Sequence, residues 1–249
     1  DGKDVTASAT FTPEASDGTV EVQFTFDATQ LAGRTVVAFE DVSRDGVTVA
    51  THADVTDEGQ SVHFIDIHTT DGDHEITAAQ TQTVVDRVEY TNLVPGKEYT
   101  ITGTLHLVNE DGTDAGVLSD ASGNKVTATK TFTPETPDGY VDVEFTFDAT
   151  GLAGRKVVAF EDLSTAGVTI AIHADITDEG QSVRFPSVHT TATANATGDH
   201  ELPATSAQRV TDTVHMENLT AGHEYVVTGT LHVVADDGTD AGTLKDSDG

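Results

Sequence analysis

Five polar side chains stand out because strand parity sets them among apolar neighbours or just beside them. Thr69 shares a face with Ile65 and Ile67, Asp86 with Val84, Val88 and Tyr90, and Gln181 with Val183 and Phe185. Glu161 has the parity of Val157 and Ala159 and lies between two apolar faces. His173 departs from the pattern: it runs with Thr169, Ala171 and Asp175, while Val168, Ile170 and Ile172 point the other way. A carboxylate buried without a partner is costly, and two buried carboxyls close together share one proton. The chemistry open to such a set is proton transfer, with the carboxyls holding a proton and the imidazole able to take one. Four of the five also have a plainer reading: a β-forming Thr, an edge Gln, a salt-bridged Glu, a surface His.

Recurrence adds weight to the set. Glu161, His173 and Gln181 have copies at Glu40, His52 and Gln60 with identical spacing. Thr69 and Asp86 have copies at Thr190 and Asp212. Residues 3–64 match 124–185 at a constant offset of 121, as in Phe11-Thr12-Pro13 against Phe132-Thr133-Pro134. Beyond Ala194-Asn195-Ala196 the offset becomes 126, matching Asn92-Leu93 to Asn218-Leu219. A repeat of this kind sets the fold reading before anything else. One complete unit is expected over 65–186. Residues 1–64 read as the C-terminal half of a unit and 187–249 as the complementary N-terminal half.

The elements that must position these residues are strands. Val141, Val143, Phe145 and Phe147 alternate with Asp142, Glu144 and Thr146, the period of a half-buried strand. Val20, Val22, Phe24 and Phe26 repeat the pattern, Tyr99–Leu107 forms another such strand, and Val168–Ile172 a third. Asp-Gly pairs at 17–18, 111–112, 138–139 and 237–238 read as turns. No stretch carries a useful helical period. The expectation is an all-β chain of immunoglobulin-like β-sandwich units.

Composition narrows the function classes. The formal net charge is −31, from 43 acidic and 12 basic residues. That disfavours nucleic acid or an anionic membrane as partner. The chain has no cysteine, which excludes disulfides, thiol chemistry and cysteine zinc sites. No apolar run reaches the length of a membrane span. No metal site or cofactor is expected: the Asp236-Asp237-Gly238-Thr239-Asp240 stretch lacks a full calcium-loop pattern, and hairpin turns explain it. Abundant acidic residues generate carboxylate pairs by chance, so a hydrolase has little support. A glycan- or protein-binding sandwich is the alternative function, although no Trp and only four Tyr are available for an aromatic platform.

The text Val157-Val158-Ala159-Phe160-Glu161, then His173-Ala174-Asp175, then Asp178-Glu179-Gly180-Gln181-Ser182-Val183 resembles a repeat of Gram-positive surface adhesins. Those domains form a spontaneous internal ester bond between a Thr and a Gln side chain. Ile67-His68-Thr69-Thr70, Asp86–Leu93 and Gly103-Thr104-Leu105 share the likeness, which spans the chain. The resemblance makes Thr69 the nucleophile and Gln181 the electrophile, assisted by His173, Glu161 and Asp86. For the split unit it implies Thr190 and Asp212 from one half, with Glu40, His52 and Gln60 from the other. Tyr90 is replaced there by Met216, a change of packing.

The implied reaction is sound chemistry. A Thr hydroxyl needs a base, which neutral His supplies. A carboxyl kept protonated by the Glu161/Asp86 pair could donate to the Gln carbonyl oxygen as charge develops. Ammonia leaves, and water must be excluded. The event is a single turnover, so the chain is not expected to be an enzyme. The bond would close 112 residues (181 − 69), worth about 4–5 kcal/mol on the loop-entropy scale of a disulfide.

The matched halves imply a partner, the chain itself. The favoured expectation is that each half completes that of a neighbour head to tail, Thr190 of one copy esterifying Gln60 of the next, so that the contact propagates as a fibre. The alternatives are closure of the two halves within one chain or a fragment with odd boundaries. The resemblance further implies an extracellular, cell-wall-anchored parent protein serving as a stalk, with an adhesion ligand the sequence does not name.

Overall fold

The computed structural model describes residues 4–69, 74–120, 123–194, 198, 200–205 and 208–245. The chain forms two compact units, Asp1–Asn218 and Leu219–Gly249. It is all-β, and the expected alternation drives it: Val141, Val143, Phe145 and Phe147 are all buried along one strand.

The first unit opens with β1 (Thr35–Val37), β2 (Glu40–Arg44), β3 (Val47–His52), a 3-10 turn at Glu58–Gln60 and β4 (Ser61–His63). β2 and β3 form a hairpin, and β1 pairs β4. A sandwich follows, built from β5 (Asp66–Thr69), β6 (His74–Glu75), β7 (Gln82–Thr91), β8 (Tyr99–Val108), β9 (Asp114–Val117), β10 (Thr127–Phe132), β11 (Gly139–Phe147), β12 (Arg155–Thr165), β13 (Val168–His173) and β14 (Ser182–Phe185). One sheet has the order β10-β8-β12-β14-β6, with β13 on β12 and β9 on β8. The other has the order β11-β7-β5. Their inner faces enclose a single core that includes Ile101, Leu105, Val143, Phe145 and Phe185. The unit ends in a two-stranded ribbon of β15 (Ser187–Ala194) and β16 (Val210–Glu217). Among the described residues the second unit holds one hairpin, β17 (His232–Val234) with β18 (Asp240–Thr243).

Gly103 shows why the core needs a residue without a side chain in mid-strand. A Cβ there would stand 2.5 Å from Phe145 Cζ, so the glycine lets the two sheets close. Gly139 departs from the turn reading of Asp138-Gly139. It begins β11 opposite Tyr90, and a Cβ would stand 2.6 Å from the Tyr90 hydroxyl. Gly112 and Gly238 do occupy left-handed turn positions, both at φ 82°.

The strand expected over Val20–Phe26 does not form. Its text matches β11, yet Phe24 and Phe26 are each 39% exposed where Phe145 and Phe147 are 1% and 6%. The reason is the missing neighbour. β11 pairs along its length with β7, and the counterpart of β7 is β16, which among the described residues pairs only with β15.

Candidate functional site

Three segments meet inside the sandwich. β5 ends at Thr69, 8% exposed, and β12 carries Glu161, 1% exposed. Gln181, 3% exposed, leads into β14. The turn before Gln181 is pinned on itself: Gly180 N donates to Asp178 Oδ1 at 2.8 Å, and Ser182 Oγ donates to the Asp178 carbonyl at 2.8 Å. Ala159 N donates to the Gln181 carbonyl at 3.1 Å. With backbone fixed on both sides, the carboxamide has one direction left, inward.

There Gln181 Nε2 donates to Thr69 Oγ1 at 3.5 Å and to Glu161 Oε2. Gln181 Oε1 is buried without a hydrogen-bond partner. Asp86, on β7 opposite Val143, is 5% exposed and stands against Glu161. Burial, then the Asp86 charge and the hydrogen bond between the two carboxyls, push the Glu161 pKa up to about 10. At neutral pH this pair holds a proton.

His173 lies directly across from Glu161 in the β12–β13 register. Its Nδ1 is 3.9 Å from Glu161 Oε2 and its Nε2 is 3.3 Å from Asp178 Oδ2. Only 19% of the side chain is exposed. Opposite inward-facing Glu161 it shares the inner face, while Val168 and Ile172, 62% and 65% exposed, take the outer one, which overturns the outward parity expected for His173. β13 packs beside β5, the strand of Thr69.

The geometry adds a second role to the expected donation to the carbonyl oxygen. The Glu161 carboxyl meets the amide nitrogen of Gln181 and not its oxygen. The nitrogen is the atom that must be protonated before ammonia can leave, so the geometry suits a general acid on the leaving group.

Sequence reasoning missed Asp178. It lies on a turn, where strand parity carries no information, among many other acidic residues. Its spacing to His173 is repeated by Asp57 and His52, and His52 Nε2 likewise sits 3.3 Å from Asp57 Oδ2. That shared interval was the signal available.

The second set is only half assembled. Gln60 Nε2 donates to Glu40 Oε2 at 2.6 Å, and Glu40 faces His52 across β2–β3. Thr190 and Asp212 are on the β15–β16 ribbon, both exposed, paired with Val214 and Ala192. Among the described residues no hydrogen bond joins them to Gln60 or Glu40. Gln60 instead borders an open groove of about 700 Å³ with Val5, Phe24, Phe26, Leu31 and Phe39. Among the described residues no three His, Asp or Glu side chains converge as metal ligands would.

The profile of the family described as T-Q ester bond containing domain matches residues 1–64, 66–185 and 186–248. No curated protein matches. Solved structures that resemble the chain include two crystal forms of a bacterial adhesin from Mobiluncus mulieris containing intramolecular disulfide, isopeptide and ester bond cross-links. They show TM-scores of 0.38 and 0.39 and identities of 14% and 13%, over 62% of this chain and 74% of theirs. By three matches that together span nearly its whole length, the chain belongs to the family of T-Q ester bond containing domains.

Proposed function

We propose that this chain is a stalk segment of a bacterial cell-surface adhesin, exported and wall-anchored in its parent protein, reinforced by autocatalytic Thr-Gln esters. The observation that carries the reading is the buried approach of Thr69 Oγ1 to Gln181 Nε2 at 3.5 Å, beside a carboxyl held protonated. His173, backed by Asp178, takes the Thr69 hydroxyl proton. Oγ1 then attacks the carboxamide carbon, and the C–N bond breaks. Glu161, with Asp86, supplies the proton that lets nitrogen depart. One hydroxyl and one carboxamide give one ester and one ammonia. The buried position keeps water from reversing it.

The split halves complete one another between copies of the chain. Support comes from the uncovered groove at Gln60 and from register. In the middle unit Asp86 opposes Val143 and Glu161 opposes Gly103. The same residue types would set Asp212 of one copy opposite Val22 of the next, and Gly229 opposite Glu40, bringing Thr190 to Gln60. Strand addition of this kind supplies affinity through the main chain and specificity through alternate side chains.

Intact mass under denaturing conditions tests both parts. The expected result is a ladder of covalent multimers, each lighter by about 17 Da per middle unit and per junction. A monomer lighter by one ammonia overturns the junctions and leaves the middle ester. The full unmodified mass overturns both.

A further inference from the structure

The first unit contains the same joint twice, at the two places where one repeat hands over to the next. Asn92 and Asn218 are counterparts, each just past the β7 or β16 strand and each left-handed, at φ 67° and 60°. Asn92 Nδ2 donates to the Arg34 carbonyl at 2.8 Å, and Asn218 Nδ2 donates to the Arg155 carbonyl. Arg34 and Arg155 are themselves counterparts. Different donors engage the Asn Oδ1 at the two joints: His63 Nδ1 at 2.9 Å and Thr35 Oγ1 at 3.0 Å in the first, Arg184 Nη1 at 3.2 Å in the second. His63 and Arg184 are also counterparts, and each is held by an equivalent glutamate, Glu58 at 3.4 Å and Glu179 at 2.6 Å.

The backbone around the clasp repeats too. Gly33 and Gly154 have φ 69° and 77°. A Cβ at Gly33 would stand 3.0 Å from Thr91 Oγ1, and one at Gly154 would stand 2.8 Å from Glu217 Oε2. Thr91 and Glu217 directly precede the two asparagines. Each glycine therefore lets the end of one repeat close on the start of the next.

We propose that this asparagine clasp is an inter-repeat docking surface whose partner is the next repeat of the same chain, and that it fixes the angle between successive repeats. Neighbouring domains on short linkers move relative to one another unless an interface holds them. Here a carboxamide uses its donor on a backbone carbonyl and its acceptor on a glutamate-backed cation or imidazole, so both ends are committed. The left-handed backbone is one that Asn tolerates better than most residues, which explains that residue type at the position. His63 and Arg184 differ chemically yet serve the same acceptor, which ties the geometry to the joint and not to one side chain. The inference concerns orientation and does not depend on ester formation.

The chain has no cysteine, so Asp41→Cys and Thr129→Cys place spin labels on exposed strands either side of the first joint. Pulsed dipolar spectroscopy on the full chain should give one narrow distance distribution. Asn92→Asp keeps the left-handed backbone and the acceptor but removes the donor to Arg34. It should broaden the distribution while the middle unit keeps its melting temperature. His63→Ala lies outside the middle sandwich and should broaden it as well. A broad distribution in the unsubstituted pair, or a narrow one that survives both substitutions, overturns the proposal.

Discussion

Thr69 Oγ1 and Gln181 Nε2 stand 3.5 Å apart across 112 residues of intervening sequence. An ester there constrains the unfolded chain as a disulfide of equal loop would. Gln181→Ala should show no loss of about 17 Da from its own sequence mass at the middle unit and should lose about 4–5 kcal/mol of stability. Urea denaturation beside intact mass checks it; a variant as stable as the parent would show that the bond contributes nothing.

Glu161→Gln keeps the size of the side chain but cannot deliver a proton to Nε2. Crosslinking should slow by about 10²–10³, the usual cost of losing one aligned group at developing charge. The time course of mass loss after refolding measures it. An unchanged rate would remove Glu161 from the reaction.

Asp178 acts through the imidazole. Asp178→Asn preserves the acceptor for Gly180 N and the turn it pins, yet removes the charge facing His173 Nε2. It should slow crosslinking by less than the 10²–10⁴ or so that general-base catalysis supplies and that His173→Ala would forfeit. It should leave the melting temperature of the uncrosslinked fold in place, which a purely structural role would move.

Without the ester, Glu161 makes the fold pH-sensitive. Its pKa is raised in the folded chain, from 4.5 to about 10, so the folded state holds a proton that the unfolded state releases within that window. The stabilising proton is fully in place below pH 4.5 and is lost as pH climbs towards 10. Thr69→Val should therefore lose stability steadily on going from pH 5 to pH 9. Adding Glu161→Gln should flatten the dependence, as urea midpoints across that range would reveal.

Gly103→Ala forces a methyl against the Phe145 ring. Overpacking of that kind costs about 1–3 kcal/mol, and a melting curve that does not move would mean the ring swings aside freely.

Alternation alone placed β8 and β11 within a residue or two, because those strands have one face on the core and one in water. It found β13 as well but gave it the wrong face, since Val168 and Ile172 are exposed and His173 lies opposite buried Glu161. The same rule set Thr69, Asp86, Glu161 and Gln181 on inner faces, where all four are buried. It failed at Val20–Phe26, whose text is as good as that of β11, because a strand exists only beside a partner and parity is silent about partners. It also could not orient the Gln181 amide, since strand parity fixes a face and not which amide atom meets a carboxyl. Asp178 escaped for a related reason: turn geometry, not periodicity, brings it to His173.

β5 is four residues long and ends at Thr69, while Gln181 leads straight into β14. Once the proposed ester closes, tension entering at Asp66 crosses to Gln181 after those four residues and leaves through Phe185. The 111 residues from Thr70 to Gly180 drop out of the load path, withholding roughly 370 Å of contour that pulling can no longer release. The sandwich then serves as a mould: it brings two ends together, casts the link between them, and afterwards carries almost none of the weight.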